Sequence, residues 1–499
     1  LFRVNAIVIV LALGALWLFA ATIMRPWFAV LATASVAVLL PTVHFARDLY
    51  SEPLALLFVF AGFAFLTFAH RVEHEGLALL AGLMAAAVTM VRIDGWLVVA
   101  GVMAYLMVVW WRASEAGADT TVTRFVHPAL LGILIGGGVG LFDALVRTPQ
   151  YMIDRGPQVV MMFGLLVAIV LVGLFALRRP EPFRRLADWF DRHRRVFAWS
   201  IPLALIVVAT ALFSVRPLLQ ETRGANLNSI VLFVQRSQGL TVDGTRTYNE
   251  WSMQWLSWYL GVFGLALAVI GLAWVWRRAI LGLRGVWPFL LTLSLTTAGY
   301  VLRPSITPDQ LWAMRRFLPV VLPGLILAAV LGVQWTFEGT TRAAVRSAAM
   351  AVAVGLLIVV PASYTWPLRT STSYVGMYEA LEDVCDAIPE GSAVLMAGLP
   401  HSAAYQAPVR SFCRVPVSGF YLTDPSCAIV SANQAWADRG VNLIIGYGDE
   451  LGLDPDVSVS VRYELPELTL TRRPVELTTF VFAINLVDAD SLDTSVCSS

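Results

Sequence analysis

The feature that most constrains this chain is a series of apolar stretches, each about as long as a helix that crosses a membrane. The stretches occupy residues 4–24, 27–43, 53–70, 77–91, 95–111, 127–146, 158–177, 196–213, 255–276, 286–302, 317–335 and 343–363. A helix needs about 20 apolar residues to cross the hydrocarbon core of a bilayer. The series therefore predicts a multi-spanning α-helical membrane protein with about twelve spans. Stretch 77–91 is short, and only the segment around Arg92–Gly95 separates it from stretch 95–111. We therefore predict that these two stretches form two short helices that meet near one face of the membrane.

The composition agrees with this fold class. Hydrophobic residues make up 58% of the 499 residues and charged residues only 14%, whereas a soluble globular protein has about 25% charged residues. The mean hydropathy is +0.72. These values exclude an ordinary soluble enzyme, a disordered chain and a nucleic-acid-binding protein, and they make the lipid bilayer the expected environment.

The charges divide the chain into two parts. Residues 364–499 hold 7 of the 35 basic residues and 17 of the 34 acidic ones, so residues 1–363 are basic. We predict a polytopic transmembrane domain over 1–363 and a soluble α/β domain over 364–499. In the second domain, 392–397, 441–445, 457–465 and 478–487 are expected to be strands of a partly parallel sheet, and 374–387 and 428–439 amphipathic helices.

All four cysteines lie in the acidic part, at 385, 413, 427 and 497. An even number of cysteines confined to one polar domain indicates an oxidising compartment. Four cysteines allow three pairings, of which Cys413 with Cys427 is the most local. Four unpaired thiols are the alternative.

The placement of arginine predicts the orientation, because cytoplasmic loops carry an excess of basic residues. Alternate loops carry 16 and 11 arginines, and the densest run is 178–195. We expect this run to be cytoplasmic, which places Leu1 and the C-terminal domain outside the plasma (inner) membrane. The basic residues are all arginine, with no lysine, which indicates a bacterium with GC-rich DNA. Because the chain starts at the outer end of a helix, we also expect that a preceding segment is missing from it.

In this orientation three clusters of charged residues fall at the outer ends of predicted spans. A charge at the edge of a hydrocarbon core is costly and usually has a partner or a function. The clusters are Arg47, Asp48 and Glu52; Arg92 and Asp94; and Arg303, Asp309, Arg315 and Arg316. Together they predict one polar site at the outer surface.

Each cluster also has a structural explanation. Arg47 and Asp48 would pair at the membrane interface, and Arg92 would pair with Asp94 to hold a tight turn. Arg315 and the arginine after it would anchor lipid head groups. The six histidines show no zinc-type spacing, so the sequence supports no cofactor and does not demand a divalent metal.

The chemistry that suits such clusters is group transfer from a lipid phosphate. A carboxylate accepts a proton from an acceptor hydroxyl as a general base. Arginine holds a phosphate through two parallel hydrogen bonds and stabilises the charge that develops on it. Apolar helices beside the site would hold a polyprenyl tail.

Three motifs resemble, in order and spacing, those of the GT-C superfamily of integral-membrane glycosyltransferases. The nearest branch contains the dolichyl-phosphate-mannose protein mannosyltransferases and the aminoarabinose transferases. Residues 46–54 (ARDLYSEPL) resemble the family's Arg-x-x-x-(Ser/Thr)-(Glu/Asp)-Pro-Leu stretch. Residues 82–95 (GLMAAAVTMVRIDG) resemble its small-residue helix ending in Arg-Pro-(Glu/Asp)-Gly, with Ile93 in place of proline. Residues 315–323 (RRFLPVVLP) resemble its late Arg-(Tyr/Phe)-Leu-Pro-x-x-Pro.

The resemblance, which covers about residues 1–363, implies roles for the clustered residues. Glu52 is the first choice for a catalytic carboxylate and Asp48 the second. The donor phosphate or substrate would be bound by Arg47, Arg92, Asp94, Arg303, Asp309, Arg315 and Arg316. The family's principal acid follows a helix that would precede Leu1, so we expect either that this acid lies in a preceding segment or that the protein is not an active member.

The resulting hypothesis is a glycosyltransferase of the bacterial cell envelope. It would move a hexose or pentose, mannose among them, from a polyprenyl-phosphate-linked donor to a glycan, lipid or protein acceptor on the outer face, with inversion. A transporter or lipid flippase is one alternative, although it would carry charges near the membrane midplane and repeated halves. A non-catalytic membrane scaffold that displays the outer domain is the other.

Overall fold

The structure is a computed structural model that describes residues 4–47, 50–283, 285–371, 377–397, 401–419, 426–447 and 455–491. It divides the chain into two compact units. The first contains Leu1–Leu227, Asp243–Arg369 and Thr469–Arg473, and the second contains Asn228–Val242, Thr370–Leu468 and Pro474–Ser499. The main boundary therefore lies a few residues beyond the predicted division after residue 363. In addition, Asn228–Val242 belongs to the second unit although its flanking residues belong to the first, and Thr469–Arg473 belongs to the first unit although its flanking residues belong to the second.

Most of the chain before Thr370 is helical. Its α-helices are α1 (Val4–Ile23), α2 (Pro26–Ala37), α3 (Leu40–Phe45), α4 (Glu52–Val72), α5 (Glu75–Val91), α6 (Trp96–Glu115), α7 (Asp119–Thr121), α8 (His127–Arg147), α9 (Pro149–Asp154), α10 (Gly156–Arg178), α11 (Pro180–Arg192), α12 (Arg194–Ser214), α13 (Arg216–Leu219), α14 (Ser229–Ser237), α15 (Ser252–Leu260), α16 (Val262–Ile280), α17 (Trp287–Leu302), α18 (Val321–Glu338), α19 (Ala343–Val354) and α20 (Val360–Thr365).

Within the described residues, nine helical segments are long and apolar enough to cross a membrane. They are Val4–Ile23, Glu52–Val72, Ile93–Glu115, Asp119–Arg147, Gly156–Arg178, Arg194–Ser214, Val262–Ile280, Val321–Glu338 and Ala343–Leu368. Three shorter apolar helices, α2, α5 and α17, occupy the other three predicted stretches. The multi-spanning fold and its C-terminal sheet domain are therefore confirmed.

Two predicted spans begin later than expected. The stretch 255–276 is interrupted at Gly261, whose φ of +74° ends α15 before α16 begins. This left-handed region favours glycine, so the helix cannot run straight through. The stretch 317–335 becomes helical only at Val321, because the residues before it form turns.

Helices α5 and α8 approach each other closely because glycines lie in their interface. A Cβ atom at Gly82 would lie 2.0 Å from the carbonyl oxygen of Ala129, and one at Gly132 would lie 2.3 Å from that of Leu79. Gly136 and Gly140 continue the same face of α8 at four-residue intervals. Small residues at this spacing let helix backbones pack closely in a membrane.

The charged residues lie where these helices begin and end. Helix α4 begins at Glu52, and α5 ends at Val91, directly before Arg92. A short turn, Ile93–Gly95, then leads into α6. In this turn a Cβ at Gly95 would lie 2.7 Å from the carbonyl carbon of Val88, so only glycine lets the turn fold back on α5.

The second unit is built on a five-stranded mixed sheet. Its strands are β1 (Ala393–Ala397), β2 (Val417–Gly419), β3 (Leu443–Tyr447), β4 (Val457–Pro466) and β5 (Leu477–Asp488), and their order is β2-β1-β3-β5-β4. Strand β1 pairs in parallel with β2 and β3, while β5 is antiparallel to β3 and β4. The partly parallel sheet predicted from the sequence is therefore present.

Helices cover both faces of this sheet. They are α21 (Met377–Asp386), α22 (His401–Phe412) and α23 (Ser426–Ala437). Side chains of α21 and α22 bury Val394 and Met396 of β1, whereas Ile429 of α23 packs on the opposite face against Leu395. Alternate residues of a strand point to opposite faces, which is why every residue of β1 is buried.

The local cysteine pairing expected from the sequence is wrong. The structure joins Cys385, at the end of α21, to Cys413, just after α22. These cysteines are distant in sequence but adjacent in space because α21 and α22 pack side by side on one face of the sheet. Strand β2 and helix α22 were also not predicted, since neither carries a clear apolar period. Cys497 lies outside the described residues.

We expect Gly132→Ala to lower the melting temperature of the detergent-solubilised protein. The added methyl group meets backbone atoms of α5 that no side-chain rotation moves, and overpacking of this kind costs about 1–3 kcal/mol. Gly138→Ala, one turn and a half further along α8, is the matched control because nothing lies within 4 Å of its Cβ position. Equal melting temperatures for the two variants would contradict the close approach of α5 and α8.

Candidate functional site

Five charged side chains meet at one end of the helices of the first unit. Their positions in the fold differ: they lie at the first residue of α4, in the turn between α5 and α6, and in the segment before α18. They are Glu52, Arg92, Asp94, Arg315 and Arg316. The three clusters of the sequence thus contribute to one site, although Glu52 and Arg315, which contact each other, are 263 positions apart in the chain.

Glu52 is shared by two arginines. Its Oε1 atom accepts a hydrogen bond from Arg315 Nε at 2.6 Å and another from Arg92 Nη1. The side chain has no exposed surface, and among the described residues its other oxygen, Oε2, is buried without a hydrogen-bond partner. Buried polar atoms in native proteins nearly always have a partner, so Oε2 is a candidate acceptor for a hydrogen bond from a substrate or water.

Asp94 is the second shared carboxylate. Arg92 donates to it from Nε at 2.9 Å and from Nη2 at 3.0 Å, a bidentate pairing. Arg316 Nη1 donates to the same carboxylate, and Arg316 Nη2 lies 3.3 Å from the carbonyl oxygen of Ser305. The result is a continuous chain in which cations and anions alternate: Arg315, Glu52, Arg92, Asp94, Arg316.

Aromatic rings surround one end of this chain. The Arg315 guanidinium lies 4.2 Å from the ring centre of Trp312 and 5.2 Å from that of Tyr50. The backbone carbonyl of Tyr50 accepts a hydrogen bond of 2.8 Å from Asn5 of α1. Cation–π contacts of this kind orient a guanidinium without using its N–H groups, so Arg315 keeps donors for a further partner.

The alternating chain carries one more positive charge than negative charge. Burial by itself lowers the pKa of the Arg316 guanidinium, but the charge of Asp94, its hydrogen bond and the nearby Tyr300 together raise that pKa above its usual value. Arginine side chains are cationic in proteins. A partly buried group of fixed guanidiniums with one charge in excess is suited to an anion such as a phosphate.

Three of the predicted site residues that the structure describes are not in this chain of ion pairs. Arg47 donates to the backbone carbonyl of Arg369. Arg303 is exposed and Asp309 is buried elsewhere in the same loop. Asp48 lies outside the described residues. Their predicted roles remain predictions.

Asp309 has an unusual environment. It is buried, and its Oδ1 atom has no hydrogen-bond partner in the part of the chain that the structure describes. Burial raises the pKa of its carboxyl to about 7. Tyr259 is a titratable group close enough to interact with it electrostatically, while Arg473 interacts with that tyrosine. Asp309 therefore exchanges a proton near neutral pH and differs from the two carboxylates held by arginine.

A divalent metal does not fit the arginine-paired carboxylates. Among the described residues, no group of three histidine, cysteine, aspartate or glutamate side chains lies close enough together to hold one. Glu52 and Asp94 already neutralise guanidinium groups, and three cations in the same cluster would repel a dication.

The sequence did not single out Tyr50, Trp312, Tyr300 or Ser305 as parts of the site. Tyr300 of α17 interacts with the Asp94 carboxylate, and the other three contact arginines. Aromatic residues at the ends of spans are usually an interfacial belt, which hides those with a specific role. The proximity of Tyr50 and Trp312 to the arginine motifs in sequence was the available signal.

The raised pKa of Asp309 predicts a pH-dependent stability. Because the folded protein binds this proton more tightly than the unfolded chain, the free energy of unfolding falls as the pH rises from about 4 to about 7, by at most about 1.4 kcal/mol per pH unit. Asp309→Asn has no titrating carboxyl at this position, so its free energy of unfolding does not fall with pH for this reason. The melting temperature of Asp309→Asn relative to wild type should therefore increase between pH 4.5 and 7 and then level off.

Asp243→Asn is the control for this measurement. Hydrogen bonds from Thr245 and Arg223 lower the pKa of Asp243 to about 2, below the range scanned. The difference in melting temperature between Asp243→Asn and wild type should therefore not change with pH over this range. If the Asp309→Asn difference is equally constant, Asp309 is not the buried neutral acid described here.

Comparison with known proteins identifies the fold. No protein-family model and no curated protein matches the sequence. Among solved structures, the chain resembles the apo oligosaccharyltransferase of Archaeoglobus fulgidus, with a TM-score of 0.53 and 13% identity, over 90% of this chain and 58% of that one. It also resembles AglB, the oligosaccharyltransferase of the same organism in complex with an inhibitory peptide and a dolichol-phosphate. That match has a TM-score of 0.50 and 12% identity, over the same shares of the two chains.

The chain thus spans less than two thirds of the length of these neighbours, and at this identity the likeness establishes the fold alone. The protein therefore shares the fold of these oligosaccharyltransferases. This agrees with the resemblance of its three motifs to the GT-C superfamily, while its placement in the mannosyltransferase and aminoarabinose transferase branch remains a prediction.

Proposed function

We propose that the protein is a glycosyltransferase that moves a sugar from a polyprenyl-phosphate donor to an acceptor. The observation that carries this proposal is the convergence of Arg92, Arg315 and Arg316 on Glu52 and Asp94 at one end of a GT-C fold. Guanidiniums held in place before the substrate arrives need no reorganisation during the reaction. They suit a step in which negative charge grows on a leaving phosphate.

The reaction balances with groups of this kind. The bond between the anomeric carbon and the phosphate oxygen breaks, and both of its electrons remain on the lipid phosphate. The acceptor atom attacks the opposite face of the sugar, so the configuration inverts, and its proton passes to a base. Arg315 is our first choice to bind the leaving phosphate, because its Nε holds Glu52 and leaves its terminal nitrogens available for two parallel hydrogen bonds.

Glu52 has two roles in this proposal. Oε1 holds Arg92 and Arg315 in register, and the unpartnered Oε2 accepts the hydrogen of the acceptor group. Asp94 does not contact substrate in this scheme. It fixes Arg316 and the bidentate face of Arg92.

The position of the charges favours transfer over transport. Glu52 is the first residue of α4, Arg92 follows the last residue of α5, and Arg315 precedes α18. Transporters hold their substrate near the midplane, usually at interrupted helices. Charges at helix ends instead suit a reaction between a lipid head group and an acceptor that approaches from water.

Several parts of the proposal extend beyond the fold. The solved AglB complex contains a dolichol-phosphate and a peptide, which supports a lipid-linked donor and a glycan, lipid or protein acceptor here. We propose that the site faces the outside of the plasma membrane together with the C-terminal domain, since a Cys385–Cys413 disulfide suits an oxidising compartment. This domain, proposed as 364–499, would help to bind the acceptor.

The proposal predicts the loss of transfer in two variants. Purified protein in lipid nanodiscs is incubated with polyprenyl-phosphate-linked hexoses and pentoses, and the release of polyprenyl phosphate is measured. Glu52→Gln and Arg315→Ala should each reduce release by at least about 100-fold, the usual effect of removing one group that stabilises a transition state.

Arg342→Ala is the matched control, because Arg342 is exposed at the opposite end of the helices, between α18 and α19. It should retain wild-type release. Melting temperatures separate loss of chemistry from loss of the fold. Full release by folded Glu52→Gln and Arg315→Ala would rule out the proposed roles, and transport of an intact lipid-linked sugar without its cleavage would favour a flippase.

A further inference from the structure

A five-residue segment from the C-terminal half of the chain packs in the transmembrane unit. The segment, Thr469–Arg473, joins β4 to β5 and belongs to the first unit although both strands belong to the second. We call it the strap. Thr469 and Leu470 have no exposed surface, so the strap is part of the packed interior rather than a loop resting on it.

The strap holds Gln310 from one side. The backbone N–H of Gln310 donates to the carbonyl oxygen of Thr469 at 2.9 Å, an isolated antiparallel bridge. The side chain of Gln310 is fully buried: it accepts from the Tyr259 hydroxyl at 2.9 Å and donates to the carbonyl of Pro308 at 3.2 Å. Gln310 is thus fixed by both its backbone and its side chain.

The two ends of the strap are fixed as well. The Thr469 hydroxyl donates to the carbonyl of Arg472 at 2.5 Å, which closes the strap into a turn. The Arg473 guanidinium lies 3.9 Å from the ring centre of Tyr364 in α20 and interacts electrostatically with Tyr259. Tyr259 therefore interacts with both Arg473 of the strap and Gln310.

Gln310 lies directly before the residues that carry the candidate site. The next residue, Leu311, leads into the 3₁₀ turn Trp312–Arg315, and Arg316 follows. Hydrogen bonds from Ala313 N to Asp309 O and from Met314 N to Leu311 O, each 2.9 Å, make this a single short structural element. A displacement of Gln310 would move both arginines, and errors of about 1 Å in such groups cost about 100-fold in rate.

We infer that the strap is a positioning element of the candidate site, which fixes the segment Gln310–Arg316 and so aims Arg315 and Arg316. Its residues do not touch the reacting atoms. The functional consequence rests on the proposed glycosyl transfer, whereas the positioning itself does not. The first unit would then need a piece of the C-terminal sequence for its site to be complete.

Hydrogen–deuterium exchange tests the positioning without any substrate. In nanodiscs, Arg473→Ala and Tyr259→Phe should each raise the exchange rate of amides in 310–318 by at least about tenfold, while peptides of α5 and α8 exchange as in wild type. Arg472→Ala, which removes the neighbouring exposed charge, should leave the segment unchanged, and Arg473→Lys should restore part of the protection. Unchanged exchange in 310–318, or an equal increase throughout the first unit, would overturn the inference.

Transfer kinetics test the consequence for the site. With the polyprenyl-phosphate sugar that the wild type cleaves, Arg473→Ala and Tyr259→Phe should lower kcat/KM at least tenfold at an unchanged melting temperature. Raised exchange with wild-type kinetics would show that the strap does not position the arginines for reaction. If the wild type cleaves no donor while the exchange result holds, the proposed function fails and the positioning stands.

Discussion

The ion pairs that link Arg315, Glu52, Arg92, Asp94 and Arg316 are the constraint on which the site depends. They join the start of α4, the end of α5 and the segment before α18 through contacts of buried side chains. Stability alone does not require such a chain, because removing each ion from water costs several kcal/mol and apolar replacements of buried ion pairs are often as stable. What the chain provides is orientation: three guanidiniums are held together in a place where their mutual repulsion would otherwise separate them.

The alternation of charge has a consequence for how each residue acts. Glu52 lies between two arginines, so its loss leaves Arg92 and Arg315 facing each other with no carboxylate between them, and Arg92 keeps only Asp94. In the proposed mechanism, a carboxylate in this position would contribute to phosphate binding without touching the phosphate. That mechanism therefore combines proton acceptance and arginine positioning in one side chain, and its amide variant would affect both. Asp94 has only the positioning role in that mechanism, since it accepts hydrogen bonds from Arg92 and Arg316.

The sequence was sufficient for some levels of this structure and not for others. Apolar length predicted the spans, and charge at their ends predicted Glu52, Arg92, Asp94, Arg315 and Arg316, because a charge beside hydrocarbon needs a partner whatever the fold. It could not predict that Arg303 and Asp309 lie apart from the others, since a loop without periodicity gives no side-chain direction. It also missed the Cys385–Cys413 pair, which depends on two helices packing side by side, and the strap, which depends on a contact between Gln310 and Thr469 across 159 positions of the chain.

The geometry of the site depends on how the helices pack, because Arg92 contacts both carboxylates from the end of α5. Its position follows from where α5 ends and from how α5 is rotated. Successive residues of a helix are about 100° apart around its axis, so a shift of one residue would aim the guanidinium away from Glu52. The glycines that bring α5 against α8 fix its rotation, and Gly95 folds the chain back so that Asp94 returns to Arg92. The small residues of the motif 82–95 are therefore needed for the same geometry as its charged residues. They fix the position of α5 at which Arg92 contacts two carboxylates.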